Sequence, residues 1–138
     1  MYYDLNPFGI IGATAVSAAL GSVWYSSKLF GSQWIQISHW TPEELENRKK
    51  EGLIYIIMTQ ILFTLVQATI LNLFISISGL SGWKYGMLGG ALAGIGFFIP
   101  ETVSSVLYDK KPWKWVLIHG SYQMISVMLM GMIMGSLI

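Results

Sequence analysis

Cysteine is absent from the 138 residues, which excludes a disulfide framework, a thiolate metal site and a thiol nucleophile. Charge is scarce as well: Asp, Glu, Lys and Arg make up 11% of the chain, and the formal net charge is +1. So small a charge projects no long-range field, and the basic residues sit in short clusters beside hydrophobic runs, so no nucleic-acid partner is expected. No basic residue stands in the opening Met1, Tyr2, Tyr3, Asp4. A secretory signal needs one, so the first hydrophobic segment is expected to be retained. Phosphate-loop, dinucleotide and serine-hydrolase patterns are missing: the glycine run at 86–96 follows no strand and contains no lysine. His39, His119 and Glu101 form no close cluster, so neither a metal nor another cofactor is expected.

What the chain has in abundance is apolar surface. Hydrophobic residues are 54% of it and the mean hydropathy is +0.57, outside the usual range of soluble domains. A bilayer core about 30 Å thick calls for roughly 20 apolar residues per helix. Four segments meet that requirement, at about 8–25, 53–78, 85–107 and 113–138. Glu101 and His119 are the ionisable exceptions within them, apart from aromatic hydroxyls and residues at their edges. The expected fold is all-α, a single four-helix transmembrane bundle over residues 1–138.

Four crossings put both termini on one side. Lys28, Arg48, Lys49, Lys50, Lys110, Lys111 and Lys114 fall on the side of the first and third loops, and only Lys84 falls on the other. The positive-inside rule then predicts cytoplasmic loops one and three, and extracytoplasmic termini. Tyr2, Tyr3, Trp24, Tyr25, Trp34, Trp83, Tyr85, Tyr108, Trp113 and Trp115 cluster at the segment ends as aromatic belts do.

The long first loop carries its own signals. Thr41, Pro42, Glu43, Glu44 reads as an N-cap, an N1 proline and a capping-box glutamate, predicting a short amphipathic helix over about 42–50. Phe30, Trp34 and Ile37 recur at helical spacing, which suits a segment lying in the headgroup layer. The other connections, 79–83 and 108–112, are tight, so segments two and three, and three and four, are expected as antiparallel neighbours.

Helix contact in lipid depends on small residues that let backbones approach. Gly86, Gly90 and Gly94 stand four apart on the third segment; Gly9, Ala13, Ser17 and Gly21 do so on the first, and the fourth ends in Gly131 and Gly135. These predict packing seams, within the bundle or between subunits. The methionines, five of them between Met124 and Met134, fill lipid-facing or core space.

Counting residues inward from the ends of the basic loops places Glu101, Thr59, Gln60, His119 and Tyr122 at one depth. Gln60, Thr64 and Gln67 share one helical face, as do His119, Tyr122, Gln123 and Ser126. Pro100 cannot donate to the carbonyl of Gly96, which predicts a kink just before Glu101. The expected polar site is therefore Glu101 with Gln60, Thr64, His119, Tyr122 and Gln123. Its carboxyl is open to two readings, a structural anchor or a group that exchanges protons or binds a cation.

At the end of the first segment the chain reads Gly21, Ser22, Val23, Trp24, Tyr25, Ser26, Ser27, Lys28, Leu29, Phe30, Gly31, Ser32, Gln33, Trp34. With Thr41 to Leu45, Gly94 to Phe97, Ile118 to Tyr122, Gly131 and Gly135, this resembles the family called domain of unknown function 1761. The resemblance implies a prokaryotic four-helix protein of an inner or plasma membrane with no assigned activity. It departs from the family at Ser27, where proline is common, and at His119, where an acid is common. Physically, Trp24, Tyr25, Phe30 and Trp34 read as an interfacial anchor, with Gly31 letting the chain turn into the membrane plane.

Two functions compete on this sequence. One is a non-catalytic scaffold or accessory subunit, with a dry, packed centre. The other is a small oligomeric transporter or channel subunit, with a water-reached cation or proton site around Glu101. The first is favoured, because a single carboxylate offers little to couple ions. Membrane lipids and a homo-oligomer or membrane-protein partner are the expected contacts; a lipid-modifying enzyme ranks third for want of a nucleophile and base at the interface.

Overall fold

The computed structural model describes residues 5–138; Tyr2 and Tyr3 of the expected aromatic belt lie outside them. The described residues are helical almost throughout, in the order α1 (Pro7–Trp24), α2 (Gly31–Ile37), α3 (Pro42–Ser78), α4 (Trp83–Ala93), a π-helical segment (Gly94–Phe98), α5 (Ile99–Tyr108) and α6 (Trp113–Leu137). Four stretches are long and apolar enough to cross a bilayer: α1, α3, the continuous rod Trp83–Tyr108, and α6.

Each boundary has a local cause. Asn6 caps α1 by accepting from Gly9 N at 3.1 Å, with Pro7 at N1, and its amide donates to the Leu137 carbonyl at 3.2 Å, tying the start of α1 to the end of α6. Thr41 and Glu44 close a full capping box: Glu44 N donates to Thr41 Oγ1 at 3.2 Å and Thr41 N to Glu44 Oε2 at 2.8 Å. The segment 42–50 is helical, but not as a separate element. It runs into the second spanning stretch across a break at Gly52, whose φ of 132° is closed to other residues. Gly79, in the left-handed region, ends α3.

Pro100 does not interrupt its helix. The preceding turn widens to the π form, with Ile99 N donating to Gly94 O, and the helix continues. A wider turn makes room for the ring at the point where proline has no N–H to give.

The long C-terminal helix α6 is the hub. The glycine stripe of α4 lies against it: a Cβ on Gly86 would fall on the Gly131 carbonyl, one on Gly90 on the Val127 carbonyl, and one on Gly94 on the Met124 sulfur. Gly82 N donates to Gly135 O at 2.7 Å at the end of this seam. The stripe is thus occupied by a helix of the same chain, backbone against backbone. Helix α1 covers another side of α6, with Ser17 and Ser126 sharing a hydrogen bond at 2.7 Å. Between α1, α3 and α6 lies the core of Ile10, Ala13, Ala68, Leu71, Ile75, Val127, Met130 and Met134.

Packing is uneven along the bundle. Helix α3 buries Thr64, Ala68, Leu71, Asn72 and Ile75, all in its second half. In its first turns past Gly52 the apolar side chains stand clear of the other helices: Ile54 is 74% and Tyr55 75% exposed.

Candidate functional site

The signature around Trp24 and Trp34 folds into a knot of rings at the basic end of the bundle. Helix α1 stops at Trp24, and the chain doubles back through Phe30 N to Trp24 O at 3.1 Å and Gly31 N to Ser26 O at 2.9 Å. Gly31 serves this turn through the space it leaves. A Cβ there would fall on the carbonyl oxygen of Tyr25, with that of Ser26 next nearest. The tight return sends α2 back beneath the bundle and carries Trp34 to α6.

There Trp115 stacks on His119 with centroids 4.8 Å apart, and Trp34 lies 5.8 Å from both rings. Tyr25 meets Trp34 and Tyr122 edge-on at 5.2 and 5.3 Å. Three polar contacts pin the knot. Tyr25 Oη and His119 Nδ1 share a hydrogen bond at 2.9 Å, Trp24 Nε1 donates to the Ile118 carbonyl at 3.0 Å, and Tyr122 Oη reaches the Ser17 carbonyl at 3.4 Å. Gln123 lies 3.5 Å from His119 Nε2, at the limit of a hydrogen bond. Indole and phenol groups suit such a place, since each buries a ring and still satisfies one polar atom.

The expected convergence of polar groups from all four spanning stretches is only partly realised. His119, Tyr122 and Gln123 come together, joined by Tyr25 and Trp34 of the expected anchor. Glu101 does not join them: it is exposed on α5 and makes no side-chain hydrogen bond among the described residues. Its neighbour Thr102 is the buried residue, 1% exposed, donating to Phe98 O at 2.6 Å and packing toward Gly120. Gln60 also faces outward; its carbonyl accepts from the buried Thr64 at 2.8 Å. Position along each helix was readable by counting, but facing was not. The π segment inserts one residue into the rod, so the inward face that holds Gly86, Gly90 and Gly94 continues at Thr102 instead of Glu101.

Two buried features escaped the sequence reading. The Ser17–Ser126 pair joins helices more than a hundred positions apart, and serine among small residues signals only close packing. Asn72 is fully buried, and neither its side-chain nitrogen nor its oxygen has a partner. An amide set between Leu71 and Leu73 was its only signal. Among the described residues, no three His, Asp or Glu side chains gather where they could hold a metal ion.

The ring knot offers one kind of chemistry, a proton shared between a phenol and an imidazole. The rest is mechanical, fixing α1, α2 and α6 to one another where the apolar stretches end. Neither a curated protein nor a solved structure matches the chain. The family model described as "Protein of unknown function (DUF1761)" matches residues 8–135, almost the whole chain, which therefore belongs to that family.

Proposed function

We propose that this chain is a non-catalytic multi-pass membrane subunit, a scaffold or accessory protein that presents a lateral face to a second membrane protein or to another copy of itself. The observation that carries this reading is the outward-facing Glu101. It lies within a stretch long enough to cross the bilayer, exposed and without a side-chain hydrogen bond among the described residues. A carboxyl at that depth needs a partner, water or a proton, and a neighbouring subunit supplies the first of these.

The centre of the bundle supports the same reading. Met130, Met134 and Val127 are buried among α1, α3 and α6, and Ser17 and Ser126 satisfy each other. A conducting path would need a line of polar groups left free to meet water, and the unpartnered Asn72 amide is a single such group beside the buried Ala68, Leu71 and Ile75. The basic loops are assigned to the cytoplasm and both termini to the opposite side, on the asymmetry of Lys and Arg.

The deciding experiment follows the carboxyl infrared band of Glu101 in reconstituted protein across pH, with Glu101→Gln to assign it. A band that holds still and ignores added cations is the expected result for a subunit interface. Reversible titration near neutral pH, with a response to cations, would replace this reading with transport. Because the chain has no cysteine, single cysteines at the exposed Glu43 and Ser81 with an impermeant maleimide test the orientation directly. Labelling of both from the same side overturns the topology.

A further inference from the structure

At the break in α3, Arg48, Glu51, Gly52, Tyr55 and Ile56 line a pocket of about 300 Å3. We infer that this pocket holds the headgroup of an aminophospholipid of the phosphatidylethanolamine type, its phosphate on Arg48 and its primary ammonium on Glu51. The inference is independent of the scaffold reading, since either a subunit or a transporter could hold such a lipid.

The charges carry the argument. Arg48 and Glu51 are one turn apart but form no ion pair; among the described residues the ion pair is Lys50 with Glu46, at 3.6 Å. One cationic and one anionic side chain therefore border a single recess without an ion pair between them. The guanidinium of Arg48 lies 4.1 Å over the ring of Trp40, which holds its plane in place while leaving its edge N–H groups free for a phosphate. A purely anionic lipid would meet the repulsion of Glu51. A choline headgroup brings a cation, but no N–H to donate to that carboxylate. Ethanolamine phosphate supplies both the anion and a hydrogen-bonding ammonium, one for each of the two side chains.

The position suits an amphiphile. The pocket opens where the charged first turns of α3 give way to its apolar stretch, and Tyr55 and Ile56 form the wall on that side. Beyond them the side chains of 53–58 are exposed and apolar, a surface along which acyl chains can lie. Gly52 makes the recess, since its φ of 132° bends the chain away from a straight helix.

The test is a lipid titration of the purified full chain in detergent, read by native mass spectrometry, with ethanolamine, glycerol and choline phospholipids carrying identical acyl chains. The wild type is expected to bind the ethanolamine lipid about tenfold more tightly than the other two, the effect of one additional charge-assisted contact. Glu51→Gln should abolish its advantage over the glycerol lipid. Arg48→Gln should weaken all three lipids about tenfold. Lys49→Gln, at an exposed neighbour outside the pocket, should change nothing. Equal binding of the three lipids by the wild type would overturn the proposal, as would a preference that survives Glu51→Gln. All three variants alter exposed side chains, and an unchanged far-ultraviolet dichroism spectrum confirms that they fold.

Discussion

Gly94 and Thr102 lie eight residues apart on one rod, and both are buried on the side that faces α6. In an unbroken α-helix, two turns advance about seven residues, and Glu101 would take the place of Thr102. The π segment adds the extra residue. It therefore decides which side chain meets the centre of the bundle, a small hydroxyl that bonds back to its own helix or a carboxyl that cannot.

Deleting Gly96 tests this, because beyond its chain neighbours and its own helix backbone nothing lies within 4 Å of the place its Cβ would take, so its loss removes the extra residue without removing a packing contact. The deletion should turn position 101 inward and position 102 outward. Single cysteines at the two positions report the swap: a lipid-soluble maleimide should label 101 and spare 102 in the full-length chain, and do the reverse after the deletion. Unchanged labelling would mean that the π turn does not set the facing of α5.

The glycine seam makes a sharper claim. A Cβ at Gly90 would strike the Val127 carbonyl, part of the α6 backbone, whereas one at Gly96 meets nothing within 4 Å. Gly90→Ala should destabilise the bundle by about 1–3 kcal/mol, the usual cost of overpacking, and Gly96→Ala should be near neutral. Denaturation in mixed micelles measures both, and equal effects would show that α4 is not packed on α6 through this stripe.

Asn72 offers a change in the other direction. Its amide is 0% exposed with no partner for either polar atom. Replacing it with leucine, which has the same branched shape and number of heavy atoms though it is larger, removes an unsatisfied group whose burial costs about 1–3 kcal/mol. Asn72→Leu should therefore raise the unfolding midpoint. A fall would mean that the amide has a partner in the working protein, a bound water or a neighbouring subunit.

At the ring knot, Tyr25→Phe removes one hydrogen bond and keeps the ring packing, so its expected cost is about 0.5–1.5 kcal/mol. His119→Ala removes that bond together with the Trp115 stack, and should cost more and shift the tryptophan emission. An unaltered emission spectrum in the alanine variant would dissolve the knot as a structural unit.

The capping box predicts a pH response. Bonds from the Thr41 backbone and hydroxyl hold the Glu44 carboxyl below its ordinary range. A depressed folded value means that the cap contributes fully above the unfolded carboxylate range and fades as pH falls through the folded one. Amide exchange across 42–50 should accelerate on acidification through that window, and Thr41→Ala should remove the pH dependence along with the cap.

Much of this was legible in the residues alone. Hydrophobic runs longer than a bilayer is thick, with Glu101 the one carboxylate well inside them, favour helices that could span a bilayer, because each backbone polar group in hydrocarbon must bond within its own segment. The cap at Thr41 was equally legible, since it needs only neighbours in the chain. The small-residue stripes announced close packing without naming the helix that would fill them.

Facing was another matter. The face that α5 turns to α6 depends on a single widened turn, and that turn is favoured by the combined packing of Gly94 on Met124 and Thr102 on Gly120 around a proline. The meeting of Tyr25 with His119, and of Ser17 with Ser126, likewise depends on where α1 settles along α6. Sequence by itself determined which segments are helices and how far along its helix each residue lies, because rise per residue is a local constant. Only the tertiary structure decided which side each residue faces, because that rotation is chosen by contacts between helices far apart in the chain.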